Sequence, residues 1–556
     1  MESHMLSPTD PPVSSSRRIL ALVLMLPALA ACGIHLLWPT ITTFSLSTQA
    51  VHPMGNSEPV GLLHYRELLS HPSLYSSLRF TGSLTLARVA VVAIFPPLLG
   101  VGAIALGRRG RRIVRLLLTV PISLCLPVII ATSWRAYLAT GASPTAAGLL
   151  ARPETAASTV VLVDALLVGA MAAGIGFVAY SAALPGASDK RGVLGRPFLL
   201  VWVISVATAI ASGTQAFTFS QVLTGGGPAL ATQTLMRALY QQGFQRLDLG
   251  PASAIGSLLL LPLLLLSLLI GIAIVLSGVG LEERPESESG AEPSGAAGRV
   301  ALAVGLLGAG GLTLVAGLPL SQAITRGVDG GALAQLSAQY PPARIYATTL
   351  IPIVAGVFLT QLPLAYSAGM AIGALRPLGR RSELLLLPFS PWLLVGVGPL
   401  AIALFLRARD VGLVGTSLGL VPPLTMSVPL LFALTLYFRG RYPHWRRECL
   451  RGASPLPSFL RTVVVPSLPF TALVGLAAVF AHMGELLWPT LIAMRPDSFP
   501  VNVVLTLLGS HPDSGPLMTA GLVVLGVPLI LASYALFGLF QLLYVGRLRL
   551  SGPAEH

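Results

Sequence analysis

The sequence predicts an all-α integral membrane protein of about twelve transmembrane helices, arranged as two parallel six-helix modules. Three observations lead there. Hydrophobic residues make up 54% of the 556 and charged residues only 10%, against about 25% charged in soluble domains. Apolar runs near the length that spans a hydrocarbon core, about 20 residues, recur along the whole chain. They fall into two sets of six, separated by one polar segment. Mean hydropathy is +0.79.

Residues 1–18 read as a polar, Pro/Ser-rich tail ending in Arg17-Arg18. The first apolar run follows, near 19–38, with no convincing small-residue cleavage site, so it reads as an uncleaved span. The first module, 19–280, continues with runs near 79–107, 113–138, 158–184, 197–217 and 251–278. Residues 281–299, LEERPESESGAEPSGAAGR, are acidic and rich in Gly, Ser and Pro, the composition of a flexible linker. The second module, 300–547, has runs near 300–320, 346–375, 383–406, 415–438, 462–490 and 516–545, and 548–556 form a tail. Two matching modules in one chain predict a pathway between them.

Charge sets the expected orientation. The net charge is +14 and Lys190 is the only lysine. Arginines cluster after even-numbered runs, in Arg108–Arg112, Arg196, Arg376–Arg381, Arg439–Arg451 and Arg547/Arg549. By the positive-inside rule these ends, and both termini, are cytoplasmic. The arginines cluster between apolar runs, so nucleic acid is not an expected partner; the lipid membrane is. Cys32, Cys125 and Cys449 supply neither a disulfide framework nor a metal set. The nine histidines are scattered without ligand or catalytic spacing. No enzyme activity, cofactor or metal is expected, and a polytopic membrane enzyme is disfavoured.

Thr224-Gly225-Gly226-Gly227-Pro228 follows the fifth run. Its glycines permit a tight reversal, and without a Walker Lys-Ser/Thr it is a structural turn rather than a phosphate cradle. The longer string is more specific. Ala231-Thr232-Gln233-Thr234-Leu235, Tyr240, Phe244 and Asp248-Leu249-Gly250-Pro251-Ala252-Ser253-Ala254 follow it, and Pro59–Thr81 reads PVGLLHYRELLSHPSLYSSLRFT. These motifs resemble the first permease subunit of binding-protein-dependent ABC importers for sugars, the maltose and glycerol-phosphate type, with His64 at an Asn position of that family. Glu485-Leu486-Leu487-Trp488-Pro489 resembles the end of the other permease subunit's W-N-x-F-x-W-P motif, with Met483-Gly484 replacing its W-N pair. The chain is therefore read as a fusion of both permease subunits.

The resemblance implies a type I importer permease in a bacterial inner membrane. It implies a sugar-like solute, an extracytoplasmic solute-binding protein, and two ATP-binding subunits docked on short cytoplasmic coupling helices. In Arg439–Pro466, RGRYPHWRRECLRGASPLPSFLRTVVVP, the family pattern maps Glu448, then Gly452-Ala453-Ser454 and Phe459, with Arg451 between. Glu448 stands two residues closer to Gly452 than the family has it, a rotation of ~200° on a helix. In the first half, Tyr180–Pro197 echoes the same element more weakly, through Ser181 and Gly186.

Ionisable residues inside apolar runs are pathway candidates. Asp164 and Glu485, with His482 and Trp488 nearby, fall in this class, the alternative being a buried hydrogen-bonded pair or a helix-end group. Thr214 and Gln215 join them as polar residues near the end of the fifth run. The rival reading is a secondary transporter of the major facilitator type, which also has two six-helix halves and an Arg-rich loop after its second helix.

Overall fold

The computed structural model describes residues 15–50, 57–139, 148–184, 195–284, 296–510 and 515–552. Its elements are α1 (Ser15–Leu46), α2 (Pro72–Ala105), α3 (Arg108–Ser123), α4 (Pro127–Leu138), α5 (Pro153–Ala183), α6 (Arg196–Thr214) and α7 (Leu249–Ser277). After the short strand β3 (Gly280–Glu283) come α8 (Ala296–Arg326), α9 (Pro342–Leu375), α10 (Val428–Leu450), α11 (Pro455–Met483), α12 (Gly515–Arg547) and the strand β4 (Leu548–Ser551). Two two-residue strands come earlier in the chain, β1 (Gln49–Ala50) and β2 (Glu58–Pro59), paired with each other. The fold is all-α in its spans, as expected.

The count of twelve regular spans is not reproduced. Among the described residues nine helices are long and apolar enough to cross a membrane, or ten if the pair α3–α4, bent by 70°, is one span. The bend falls where Pro121 and Pro127 bracket Leu124–Leu126, and an imino nitrogen cannot continue a helical ladder. The run expected at 383–406 is broken more severely. Short helical turns at Gly379–Leu386, Ser390–Trp392 and Gly398–Leu400 precede a helix at Ala401–Asp410. Pro388, Pro391 and Pro399 with Gly396 and Gly398 account for the breaks. The run expected at 415–438 is shifted toward the C-terminus. Residues 411–427 carry glycines and prolines and turn irregularly, and α10 begins at Val428.

Each half sends its first helix onto the other. The N-terminal part of α1 packs along the second part of α9, and Arg17 donates to the Ala374 carbonyl at 3.1 Å. Reciprocally, α8 packs on α2, α5 and α4, and Trp134 donates to the Ala316 carbonyl at 3.2 Å. Small residues allow that approach. A Cβ on Gly305 would stand 2.8 Å from the Leu99 side chain, and one on Gly102 2.6 Å from the Leu302 backbone. Backbones meeting over glycines is the usual basis of helix association without a water-driven force. The last helices match too: α7 packs on Ser390–Trp392, and α12 on α3.

Basic residues from many helix ends gather at one end of the bundle. Arg17 stacks over Trp445, at 4.8 Å, and Arg376 over Tyr442, at 5.0 Å. Glu383 lies 3.2 Å from Arg376 and 3.5 Å from Arg439. At the same end, β3 and β4 pair antiparallel, Leu281 opposite Leu550 and Glu283 opposite Leu548. The start of the expected flexible linker is thus a strand, and residues 296–299 already belong to α8; residues 285–295 lie outside the described residues. Glu283 fixes the ribbon. Its carboxylate accepts from the Tyr544 hydroxyl and lies 2.7 Å from that of Tyr437, which stands 2.7 Å from the Pro466 carbonyl as well and has one proton to give. Arg549 reaches the Ser181 carbonyl at the end of α5, at 3.5 Å. The ribbon therefore touches the C-terminal part of α5 and the middle of α10 together.

Gly440 makes the second contact close: a Cβ there would stand 2.1 Å from the Leu281 carbonyl oxygen. Gly440→Val is expected to push β3 off α10. Amide hydrogen exchange at Leu281–Glu283 should be slow in the natural chain and fast in the variant, with the spans unchanged.

Candidate functional site

Two regions hold the candidate residues: the space between the halves, and the hairpin formed by the ends of α10 and α11.

A cavity of about 470 Å³ lies between the halves. Ile122, Cys125 and Met171 line it from the first half, and Phe480, Glu485, Phe537 and Gln541 from the second. A second cavity of about 30 Å³ adjoins Glu485, His482 and Trp488. Glu485 therefore borders both. It sits where α11 stops and a short helix, Leu487–Ile492, begins. Its Oε1 accepts from its own chain at Leu487, 3.1 Å, while Asn502 donates to the carbonyls of Met483 at 2.8 Å and Glu485 at 2.7 Å. The break is thus capped on both sides. His482 meets Gln361 at 3.2 Å, and Gln361 in turn donates to the Leu424 carbonyl at 2.8 Å.

The other pathway candidates are each held by hydrogen bonds. Asp164, fully buried on α5, takes a bidentate grip from Arg88 on α2, at 2.7 and 2.5 Å. Its charge is spent between two helices of one half, so the alternative weighed for it, a buried hydrogen-bonded pair, is the arrangement found. Trp488 donates to the Gly419 carbonyl at 3.0 Å, and the Thr214 hydroxyl bonds to Ala211 on its own helix. Gln215 brackets the broken stretch of the other half: it accepts from the Gly396 N–H at 2.7 Å and donates to the Leu394 carbonyl at 2.9 Å. Arg88 and Gln361 did not stand out in the sequence. Arg88 carried a usable signal, being a lone guanidinium inside an apolar run.

The hairpin differs from the expected short separate helix. Arg439–Leu450 continues α10 without interruption, Pro443 being accommodated inside it. A chain reversal follows at Gly452, with φ +88°, a conformation that favours glycine. There the spacing of Glu448 and Gly452 acquires a physical meaning. The Ala453 N–H bonds to the Glu448 carbonyl at 3.2 Å and the Gly452 N–H to the Cys449 carbonyl at 3.1 Å. This is a Schellman ending, in which the glycine stands four residues beyond the carbonyl that receives the outer bond. The Glu448 carboxylate is held by Arg461 at 2.9 Å and Arg451 at 3.5 Å. Ser454 precedes the first turn of α11. Phe459 packs edge-on against Trp445 at 5.0 Å, and Trp445 donates to the Pro455 carbonyl, so the two arms are closed on each other. In the first half, Ser181 lies in the last turn of α5 and Gly186 lies outside the described residues.

The glycine-rich motif is a knotted turn. Thr232 donates to the Gly227 carbonyl at 2.8 Å, and Arg237 to that of Gly225 at 3.1 Å. Gly250 lets the start of α7 approach His64: a Cβ there would stand 2.5 Å from the imidazole Nε2.

No protein-family model matches the chain. It is similar to the sn-glycerol-3-phosphate transport system permease protein UgpA of Yersinia pestis, 27% identical over 297 residues, covering 49% of this chain and 96% of that protein. The same permease of Pectobacterium atrosepticum is 27% identical over 283 residues, covering 46% and 91%. That of Yersinia enterocolitica is 26% identical over 277 residues, with the same coverage. The resemblance to carbohydrate-type ABC importer permeases drawn from the motifs thus extends over about half of this chain and nearly the whole of each relative.

Three substitutions probe the buried contacts. Asp164→Leu alone is expected to lower stability by about 3–5 kcal/mol by stranding Arg88, and Arg88→Met added to it should recover most of the loss. Thermal unfolding in detergent measures both. Gln215→Leu leaves the Gly396 N–H without its partner and should cost about 1–3 kcal/mol in the same assay.

Proposed function

We propose that the chain is the membrane-spanning permease of an ABC importer, with both permease halves in one polypeptide. It lies in a bacterial inner membrane with both termini in the cytoplasm. It receives a sugar or sugar-phosphate-like solute from an extracytoplasmic binding protein, and two ATP-binding subunits drive it. The observation that carries this reading is the likeness to transport-system permeases over half of the chain, joined to the matching packing of the other half. The solute class follows the relatives' sn-glycerol-3-phosphate.

In this reading α10 is the lever. Its 23 residues form one rod, ~35 Å long at the helical rise. A partner pushing on the Gly452 turn displaces the whole rod, because the Trp445–Phe459 contact and the Glu448–Arg461 pair join it to α11. At its far end the preceding loop is tied by Gln361 to His482, beside the cavity that Glu485 borders. Movement at the basic end thereby reaches the space between the halves. The shape of that space alternates, while hydrolysis takes place on the partners.

Uptake in proteoliposomes should require ATP, the ATP-binding subunits and the binding protein together; uptake by the chain alone would favour the facilitator reading. Glu448→Ala, which releases Arg451 and Arg461, and Gly452→Asp, which strains the turn, should each lower solute-stimulated ATP hydrolysis about tenfold or more. They should also weaken co-purification of the ATP-binding subunits. Unchanged assembly and stimulation in both variants would sink the lever assignment.

A further inference from the structure

We propose that the concave basic surface of the α10–α11 hairpin binds a phosphate-bearing anion, either free phosphate or the headgroup of an anionic lipid. The inference stands apart from the transport reading and rests on the geometry of the hairpin. Arg441, His444, Arg447, Arg451 and Arg461 surround a hollow of about 300 Å³, with Glu448 as the only carboxylate lining it among the described residues. Four guanidiniums thus face one carboxylate, which Arg451 and Arg461 already hold.

The deeper groups are fixed in place. Arg441 donates through Nε to the Thr462 carbonyl at 2.9 Å, which ties one arm of the hairpin to the other. Glu283 lies behind the hollow, its Oε2 3.9 Å from Arg441 and its Oε1 taken by the tyrosines of α10 and α12. Arg447 donates to the Pro443 carbonyl at 3.3 Å and lies 3.1 Å from Nδ1 of His444, where it can donate only if that nitrogen is unprotonated. Burial and the charges of Arg441 and Arg447 push this imidazole below its ordinary value, against the opposing pull of Glu282. Each guanidinium carries five N–H donors, and the bonds described here use only a few. A planar fork of such donors matches the oxygens of phosphate in pairs.

Basic residues at a helix C-terminus also complement the helix dipole, and cytoplasmic ends are rich in arginine. Those effects favour cations spread over the surface. They do not account for a hollow in which Arg441 and Arg447 are pinned to backbone carbonyls and an imidazole while Arg451 and Arg461 are held over it by Glu448. Basic pockets between helices at a membrane's cytoplasmic side take phosphate headgroups on the same physical grounds.

The full chain in lipid-free neutral detergent is dialysed against radiolabelled inorganic phosphate. In parallel, nanodiscs of phosphatidylcholine with and without phosphatidylglycerol are analysed by native mass spectrometry for retained lipid. Saturable binding in the first arm identifies free phosphate as the ligand, and selective retention of phosphatidylglycerol in the second identifies a headgroup; either supports the site. Arg447→Gln and Arg461→Gln should each weaken the binding about tenfold, Arg447→Lys less, and Arg18→Gln not at all. In the unaltered chain, the ligand should protect Arg447 and Arg461 from phenylglyoxal, mapped by peptide mass, so the result does not depend on the variants folding. Absence of both ligands, or binding that neither protects these arginines nor responds to their replacement, overturns the proposal.

Discussion

Inside a bilayer no peptide N–H or C=O can be left without a partner, and that requirement governs this structure because two of its apolar runs are not continuous helices. Residues 379–400 and 411–427 turn irregularly within the bundle. Such backbone is tolerated only where protein surrounds it. Here side chains from other elements complete the hydrogen bonds: Ser267 accepts from the Leu394 N–H, Gln215 clasps Leu394 and Gly396, Gln361 meets Leu424, and Trp488 meets Gly419. Ser267 and Gln215 come from the opposite half. The break in one half is therefore a reason for the two halves to remain together.

The exchange of α1 and α8 acts in the same direction. Each is the first helix of its half and each finds its main partner in the other. The β3–β4 ribbon closes the basic end, with Glu283 joining two tyrosines that belong to α10 and α12. These contacts frame the cavity, and the hairpin turn at Gly452 stands exposed.

What the sequence disclosed follows from which forces are local. Apolar length marked every helix that spans regularly, because burying a helix in hydrocarbon needs nothing beyond its own residues. It overstated 383–406 and 415–438, where the runs are apolar but Pro388, Pro391, Pro399, Gly415, Pro422 and Pro423 forbid a continuous ladder. Asp164 and Glu485 were visible by residue type alone. Their surroundings were not, since Arg88 stands on another helix, 76 residues away in sequence. Gln215 looked like a pathway residue because a polar group in an apolar run has no local partner. The structure gives it one across the boundary between halves. The Gly452 turn was legible from its glycine; the continuity of α10 through Pro443 was not, because neighbouring contacts decide whether a helix survives a proline.

The β3–β4 ribbon also orders events in time. Ser551 and Gly280 meet across 271 residues of chain, and a ribosome extends a chain at roughly 5–20 residues per second. For that interval β3 has an open edge and Glu283 lacks the Tyr544 hydroxyl, whereas α1 can meet α9 as soon as Leu375 has been added. The first half therefore enters the membrane before its last hydrogen-bond partners exist, and the ribbon closes only once α12 and β4 have been made.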